Sequence, residues 1–251
     1  MSQMRTVAVY NLKGGVGKTT LAVNLAYASA AQSRRRTLIW DLDPQAATTY
    51  LLSDRDGRPL ADEAQAIFTR DVKPEKLIRG TAIDGLDLIA ADMSLRGLER
   101  LLFDLSGKKR LAKLIERLAD RYDRVVLDCP PGLGPIAEHV LRAADVVLVP
   151  VIPSPLSERA FAEVATYLGS GMKNGRRPPL LPVHSMVDRR RALHRAALET
   201  NPGWPVIPMA SVVEAMAAER RPVSSFAPKS AAAQAFDRLW IALERRLNQP
   251  D

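Results

Sequence analysis

Residues 13–20 read Lys-Gly-Gly-Val-Gly-Lys-Thr-Thr, and this octet sets the reading of the whole chain. It ends in Gly17-Lys18-Thr19, as phosphate-binding loops do, but the usual Gly-x-x-x-x-Gly-Lys-Thr spacing would put glycine at position 12. Leu12 stands there, and a second lysine, Lys13, heads the loop. Before it, Thr6-Val7-Ala8-Val9-Tyr10 is an apolar, β-branched run suited to a buried strand. After it, Leu21 to Ala28 is a good helix former. Strand, glycine loop and helix in that order are the context that a phosphate cradle requires.

The residue types supply the chemistry. Gly14, Gly15 and Gly17, with Val16 between them, let backbone N–H groups turn toward a polyphosphate without a Cβ in the way. The helix starting near Lys18 points its positive end at the same anion. Lys18 adds a point charge for the β- and γ-phosphates, Thr19 is the expected Mg²⁺ ligand, and Thr20 can donate to the α-phosphate side. The competing reading is a glycine turn without a ligand, and the strand and helix around the octet weigh against it.

Composition narrows the class. The 251 residues are 47% hydrophobic and 25% charged, as in a globular protein. No apolar run approaches the about 18 residues that a membrane span needs. Strand residues begin by Thr6, which leaves no room for a signal peptide. A single cysteine, Cys129, excludes an intramolecular disulfide and multi-thiolate metal sites, and it fits a cytoplasmic location. The net charge of +8 suits a polyanionic partner, either nucleic acid or an anionic membrane face.

Further short apolar runs at Arg36–Trp40, Leu86–Ala90, Val125–Asp128, Asp145–Pro150, Leu180–Val187 and Val206–Pro208 alternate with helical stretches. Leu101 to Leu118 carries leucines at helical spacing. Repeated βα units predict an α/β fold with a doubly wound, mostly parallel sheet and helices on both faces, of the P-loop NTPase type. The whole of residues 1–251 reads as one domain. Ligands of such sheets bind at the carboxyl ends of the strands, where loops 11–17, 41–45 and 128–134 fall.

Two acidic clusters sit in those loops. Asp128 closes an apolar strand before Cys-Pro-Pro-Gly, where a carboxylate can hold Mg²⁺ through water. Asp41-Leu-Asp43-Pro44 closes another, and two carboxylates so close repel unless a cation or water network separates them. A plain strand end and an Asx turn are the respective alternatives.

Lys13–Thr20, Asp41-Leu-Asp-Pro-Gln45 and Val125–Gly132 together resemble the deviant Walker A ATPases of the ParA/MinD group, in its small ParA-like form. The likeness extends through Ser211–Ala215 and Arg221–Ala233. It implies ATP and Mg²⁺ as cofactors, and a homodimer in which Lys13 reaches the partner's phosphates. Asp43 would position the attacking water, with Lys13 and Lys18 as its catalytic companions. Thr19, Asp41 and Asp128 would serve the metal, and Met186, Pro208 and Met209 the adenine. The chain departs from the pattern at Leu12, at Ala46-Ala47 where Gly-Asn is usual, and at the bulky Trp40. It also begins at the first strand, without the helix-turn-helix of larger members.

The resemblance further implies nucleoid association through nonspecific DNA binding, a ParB-like activating adaptor, and a plasmid, chromosome region or protein assembly as cargo. Arg189, Arg190, Arg191, Arg195, Arg220 and Arg221 are the DNA candidates, with plain solvation as the alternative. Arg34-Arg35-Arg36 reads as surface. Phe236, Leu239, Trp240, Leu243 and Leu247 form the stripe of a packed helix rather than a MinD-like membrane anchor. A biosynthetic enzyme of the same superfamily is the remaining class.

Overall fold

The computed structural model describes residues 3–53, 64–69, 72–97, 110–132, 134–171 and 177–249. Eight strands form one sheet: β1 (Arg5–Val9), β2 (Thr37–Asp41), β3 (Ile78–Gly80), β4 (Leu86–Ile89), β5 (Arg124–Asp128), β6 (Val146–Val151), β7 (Leu180–Val187) and β8 (Val206–Pro208). Their spatial order is β3-β4-β2-β5-β1-β6-β7-β8, and all pairs are parallel except β3 with β4. The mostly parallel, doubly wound α/β architecture expected from the sequence is therefore present.

The central strands are apolar throughout because both faces are covered. Val7 and Val9 of β1 point into one core with Leu21, Leu25, Phe236 and Trp240. Ala8 and Tyr10 point into the other, with Leu114, Ile136 and Val140. The first core lies under α1 (Lys18–Tyr27) and the last helix (Ala231–Leu247), and the second under helices Arg110–Glu116 and Pro135–Ala143. Part of the Leu101–Leu118 stretch lies outside the described residues; its second half gives the helix Arg110–Glu116.

Trp40, a departure at the sequence level, is only 2% exposed and packs 6.0 Å from the Phe68 ring. Leu12 is likewise packed against that core. The bulk of Trp40 and the loss of polarity at Leu12 are both taken up by packing against this core. Ala46 sits at φ 53°, in the left-handed region, as the residue before α2 (Ala47–Leu52). A glycine there would relieve strain on the order of 1 kcal/mol.

The last helix is a core element. Its stripe residues Phe236, Leu239, Trp240, Leu243 and Leu247 are all buried. Ser230 caps its start by accepting from the Ala233 N–H at 3.1 Å. Trp240 Nε1 donates to Ser33 Oγ at 2.7 Å, and Glu244 accepts from Arg124 and Arg35. β3 was not legible in the sequence: three residues, one of them glycine, carry no periodic signal, and β4 alone specifies it.

Candidate nucleotide site

The phosphate loop is fastened from below by side chains. Asn11, fully buried, donates from Nδ2 to Pro150 O at the end of β6 (2.7 Å) and accepts the Lys13 N–H (3.0 Å). Ser185 Oγ donates to Val16 O at 2.8 Å. It does so from an irregular stretch of β7 where Met186 adopts φ 54°. Gly17 has φ 91°, and a Cβ there would lie 2.9 Å from Ser185 Oγ, so geometry and space both demand glycine. α1 then begins with no side-chain cap and no acid in its first turn, which leaves its leading N–H groups free for an anion.

Lys18 is 7% exposed, and its Nζ donates to Lys13 O at 2.9 Å. Burial lowers its pKa, opposed by the charges of Asp128 and Asp43. The cation is thus held under the loop, short of hydration, with a backbone carbonyl as its hydrogen-bond partner.

Asp41 and Asp128 stand side by side in register at the ends of β2 and β5, both fully buried. Asp41 Oδ1 accepts the Asp43 N–H, and Oδ2 accepts both the N–H and the hydroxyl of Thr49. Thr49 Oγ1 in turn accepts the Ala91 N–H. Asp41 therefore staples the loop to α2 and to the end of β4. Asp128 accepts from Thr48 Oγ1 at 2.8 Å through one oxygen, while its Oδ1 is buried without a hydrogen-bond partner. The nearby Thr19 hydroxyl favours the ionised form, as Thr48 does. An orphaned carboxylate oxygen beside a hydroxyl is the donor set of a hard cation such as Mg²⁺. Asp43 accepts the Gln45 N–H at 2.9 Å, an Asx turn that leaves its carboxylate on the cavity wall.

Without a cation, burial first raises both Asp41 and Asp128, and the Asp128 charge adds to the shift of Asp41. Between about pH 4, where unfolded carboxyls titrate, and neutrality, the folded state then binds protons that the unfolded chain has released. Stability of the metal-free, nucleotide-free protein should fall as pH rises through that window. Thermal melts of the parent and of Asp128→Asn check this: the parent's Tm declines toward neutrality, and the variant's declines less. Equal slopes would contradict it.

The cavity above the loop measures about 630 Å³, and its walls include Gly14, Gly15, Lys18, Thr19, Thr20, Asp43 and Met186. Among the described residues lining it, Lys13, Pro208 and Met209 do not figure; Met209 is exposed and tied through its N–H to Val187 O. Residues left without a role by the sequence reading are Asn11, Thr48, Thr49, Ser185, Gln45 and Arg96, although Asn11 and Gln45 fall in the loops 11–17 and 41–45 singled out there. The first four act through hydrogen bonds across 8 to 169 positions of sequence, which no local pattern signals. Arg96 comes from a single helical turn, Met93–Gly97, and brings a further cation to the cavity mouth.

The arginine clusters are partly engaged within the chain. Arg190 and Arg191 face Asp188, and Arg195 donates to the carbonyls of Arg189 and Arg190. Arg220 donates to Tyr50 O and Ser53 O, and Arg221 pairs with Glu219. Among the described residues, no helix is long and apolar enough to cross a membrane.

A family model described as an AAA domain matches residues 4–174, more than half of the chain. The sporulation initiation inhibitor protein Soj of Bacillus subtilis is 37% identical over 59% of the chain, and the chromosome partitioning protein ParA of Myxococcus xanthus is 37% identical over the same share. The chain belongs to the ParA-like P-loop ATPases. Its matches span 58% and 52% of those two relatives' lengths, roughly half of each. A Methanocaldococcus jannaschii protein of no stated function is 30% identical over 95% of the chain and 98% of its own length. Among solved structures, cobyrinic acid a,c-diamide synthase from Mycobacterium smegmatis, with bound ATP analogue and magnesium, superposes with TM-score 0.81 at 28% identity, covering 97% of this chain and 95% of that one. The Pyrococcus furiosus cell division ATPase MinD shares the fold at 22% identity and TM-score 0.78, over 96% of this ParA-like chain and 99% of its own.

Proposed function

We propose that this chain is an ATP-hydrolysing positioning ATPase that closes into a homodimer on ATP. The closed dimer would bind duplex DNA without sequence preference, and hydrolysis would release it. A ParB-like adaptor would accelerate an intrinsically slow turnover, and a plasmid, chromosome region or protein assembly would be the cargo. Such a protein works in the cytoplasm, on the nucleoid.

The observation that carries the reading is the division between the two loop lysines. Lys18 lies in its own cavity, whereas Lys13 contributes only backbone groups, its N–H to Asn11 and its carbonyl to Lys18. Its ammonium has no partner among the described residues. Gly14 has open space where a Cβ would stand, so no neighbour among the described residues requires glycine there. A free cation beside an open backbone is what a second protomer's phosphates would meet. ATP with Mg²⁺ supplies the transferable phosphoryl group and the charge that screens it. Thr19 and the open oxygen of Asp128 would hold the cation, Lys18 the terminal phosphates, and Asp43 the attacking water, with Asp41 keeping that loop in place through Thr49. Tight in-line positioning of this kind accounts for most of the catalysis in phosphoryl transfer.

Sedimentation velocity with an uncleavable ATP analogue tests the dimer. The parent should dimerise with the analogue and stay monomeric with ADP, whereas Lys13→Ala should remain monomeric with both and still bind nucleotide. A Lys13→Ala protein that dimerises as the parent does would overturn the arrangement. The likeness to the cobyrinic acid a,c-diamide synthase favours a second reading, an ATP-dependent biosynthetic enzyme. That reading predicts turnover dependent on an organic co-substrate rather than on DNA.

A further inference from the structure

A second cavity is larger than the phosphate site and lies at the other end of the sheet. It measures about 980 Å³ and is formed where Arg34–Arg36 lead into β2 and Thr81–Gly85 lead into β4. The end of α2 and residues 219–222 complete it. The sequence separates Arg34–Arg36 from Arg220-Arg221 by more than half the chain, and reads the first group as plain surface. The fold places both on one wall.

We propose that this cavity binds a phosphate-bearing small molecule with an apolar or planar body, about a mononucleotide in size, independently of the phosphate loop. Three features of the wall point to that chemistry.

The first is uncompensated charge. Arg35 shares Glu244 with Arg124, Arg36 pairs with Asp123 and Arg221 with Glu219, and Asp84 is the other carboxylate of the lining. Arg34 is exposed and has no partner among the described residues. Arg220 has carbonyl oxygens and the Tyr50 ring as neighbours, with its guanidinium carbon 4.9 Å from the ring centre, but no carboxylate. Its remaining N–H groups are available. Guanidinium groups in this state are suited to a phosphate, which they can grip through two parallel bonds.

The second is backbone conformation. Arg34 and Arg220 have φ 50° and 51°, and each follows the end of a helical segment. That left-handed position is the one glycine usually fills, because a Cβ is unfavourable there. Four non-glycine residues among those described have positive φ. Met186 lines the phosphate cavity and Ala46 follows its Gln45, while Arg34 and Arg220 both line this second one. Strain of this sort persists where the surrounding structure or a ligand compensates for it.

The third is the floor. Leu51, Leu52, Ala30, Ile83 and Tyr27 give the cavity an apolar base beneath its cationic rim. Its volume lies at the upper end of the range for small-molecule sites, about 300–1,000 Å³. Duplex DNA could touch the rim but not the floor.

The test is isothermal titration with AMP as probe, on protein whose phosphate loop is saturated with an uncleavable ATP analogue and Mg²⁺. If the loop takes no analogue, the same titration is run on the free protein, because the variants alone locate the site. Arg34→Gly and Arg220→Gly are chosen since glycine relieves the positive φ, and thermal melting confirms that each remains folded. Saturable AMP binding that weakens about tenfold or more in both variants is expected, the loss of one charge-assisted hydrogen bond. It should be unchanged in the surface variant Arg159→Ala. Inorganic pyrophosphate should bind more weakly than AMP, because it leaves the floor empty. No saturation at millimolar AMP, or equal affinity in parent and both variants, would overturn the site. So would duplex binding that depends on Arg34 with no binding of AMP.

Discussion

Lys18→Ala should leave a folded protein with ATP turnover reduced about 100-fold or more, read as phosphate release under saturating ATP. Removing one preorganised donor aimed at developing charge costs on the order of 10²–10³ in rate. On the proposed reading Lys18 is such a donor: its Nζ is held at 2.9 Å from a loop carbonyl, and the residue is only 7% exposed. The fold should tolerate the change, since the burial that lowers the lysine's pKa is a penalty the alanine variant no longer carries. A melting temperature close to the parent's, with lost turnover, separates this outcome from unfolding. Turnover within a few fold of the parent would mean that Lys18 does not meet the phosphates.

Glu244→Ala should be the most destabilising single change among the buried ion pairs, by about 3–5 kcal/mol in urea unfolding. Arg124 has no exposed side-chain surface, and its Nε and Nη2 both donate to Glu244 at 2.8 Å. Arg35 shares the same carboxylate. Burial alone would raise the Glu244 carboxyl, but the hydrogen bonds and charge of Arg124 hold it below the usual range. Alanine leaves Arg124 buried with only Asn248 and a carbonyl as acceptors. A loss of that size is a large share of the about 5–15 kcal/mol that folds a domain. It would reach the phosphate loop, because the last helix and α1 share one core. A loss below about 1 kcal/mol would mean that Arg124 does not depend on Glu244 in the folded protein.

The parallel sheet was legible because its strands are buried on both faces, so runs such as Val125–Leu127 and Val146–Val149 stand out without any periodicity. The phosphate loop was legible because its chemistry is local, with eight adjacent residues fixing both conformation and charge. What the sequence concealed depends on distance. Asp41 and Asp128 read alike as strand-end acids, yet one has both oxygens filled by backbone and hydroxyl donors and the other keeps an oxygen open. The bulk of Trp40 has its reason in Phe68, a ring 28 positions away in sequence that packs against it. The arginine clusters read as equivalent basic patches, but Asp188 offsets one of them and helix ends position the other.

The central claim is that ATP, and not ADP, turns this chain into a nonspecific DNA binder. Fluorescence anisotropy of a labelled duplex of arbitrary sequence, titrated with protein under ATP, ADP and no nucleotide across a salt series, tests it most directly. The account predicts binding with ATP alone, a steep loss with salt as phosphate contacts are displaced, and no binding by Lys13→Ala or Lys18→Ala. Equal DNA binding in all three nucleotide states, or none at low salt with ATP, would contradict it.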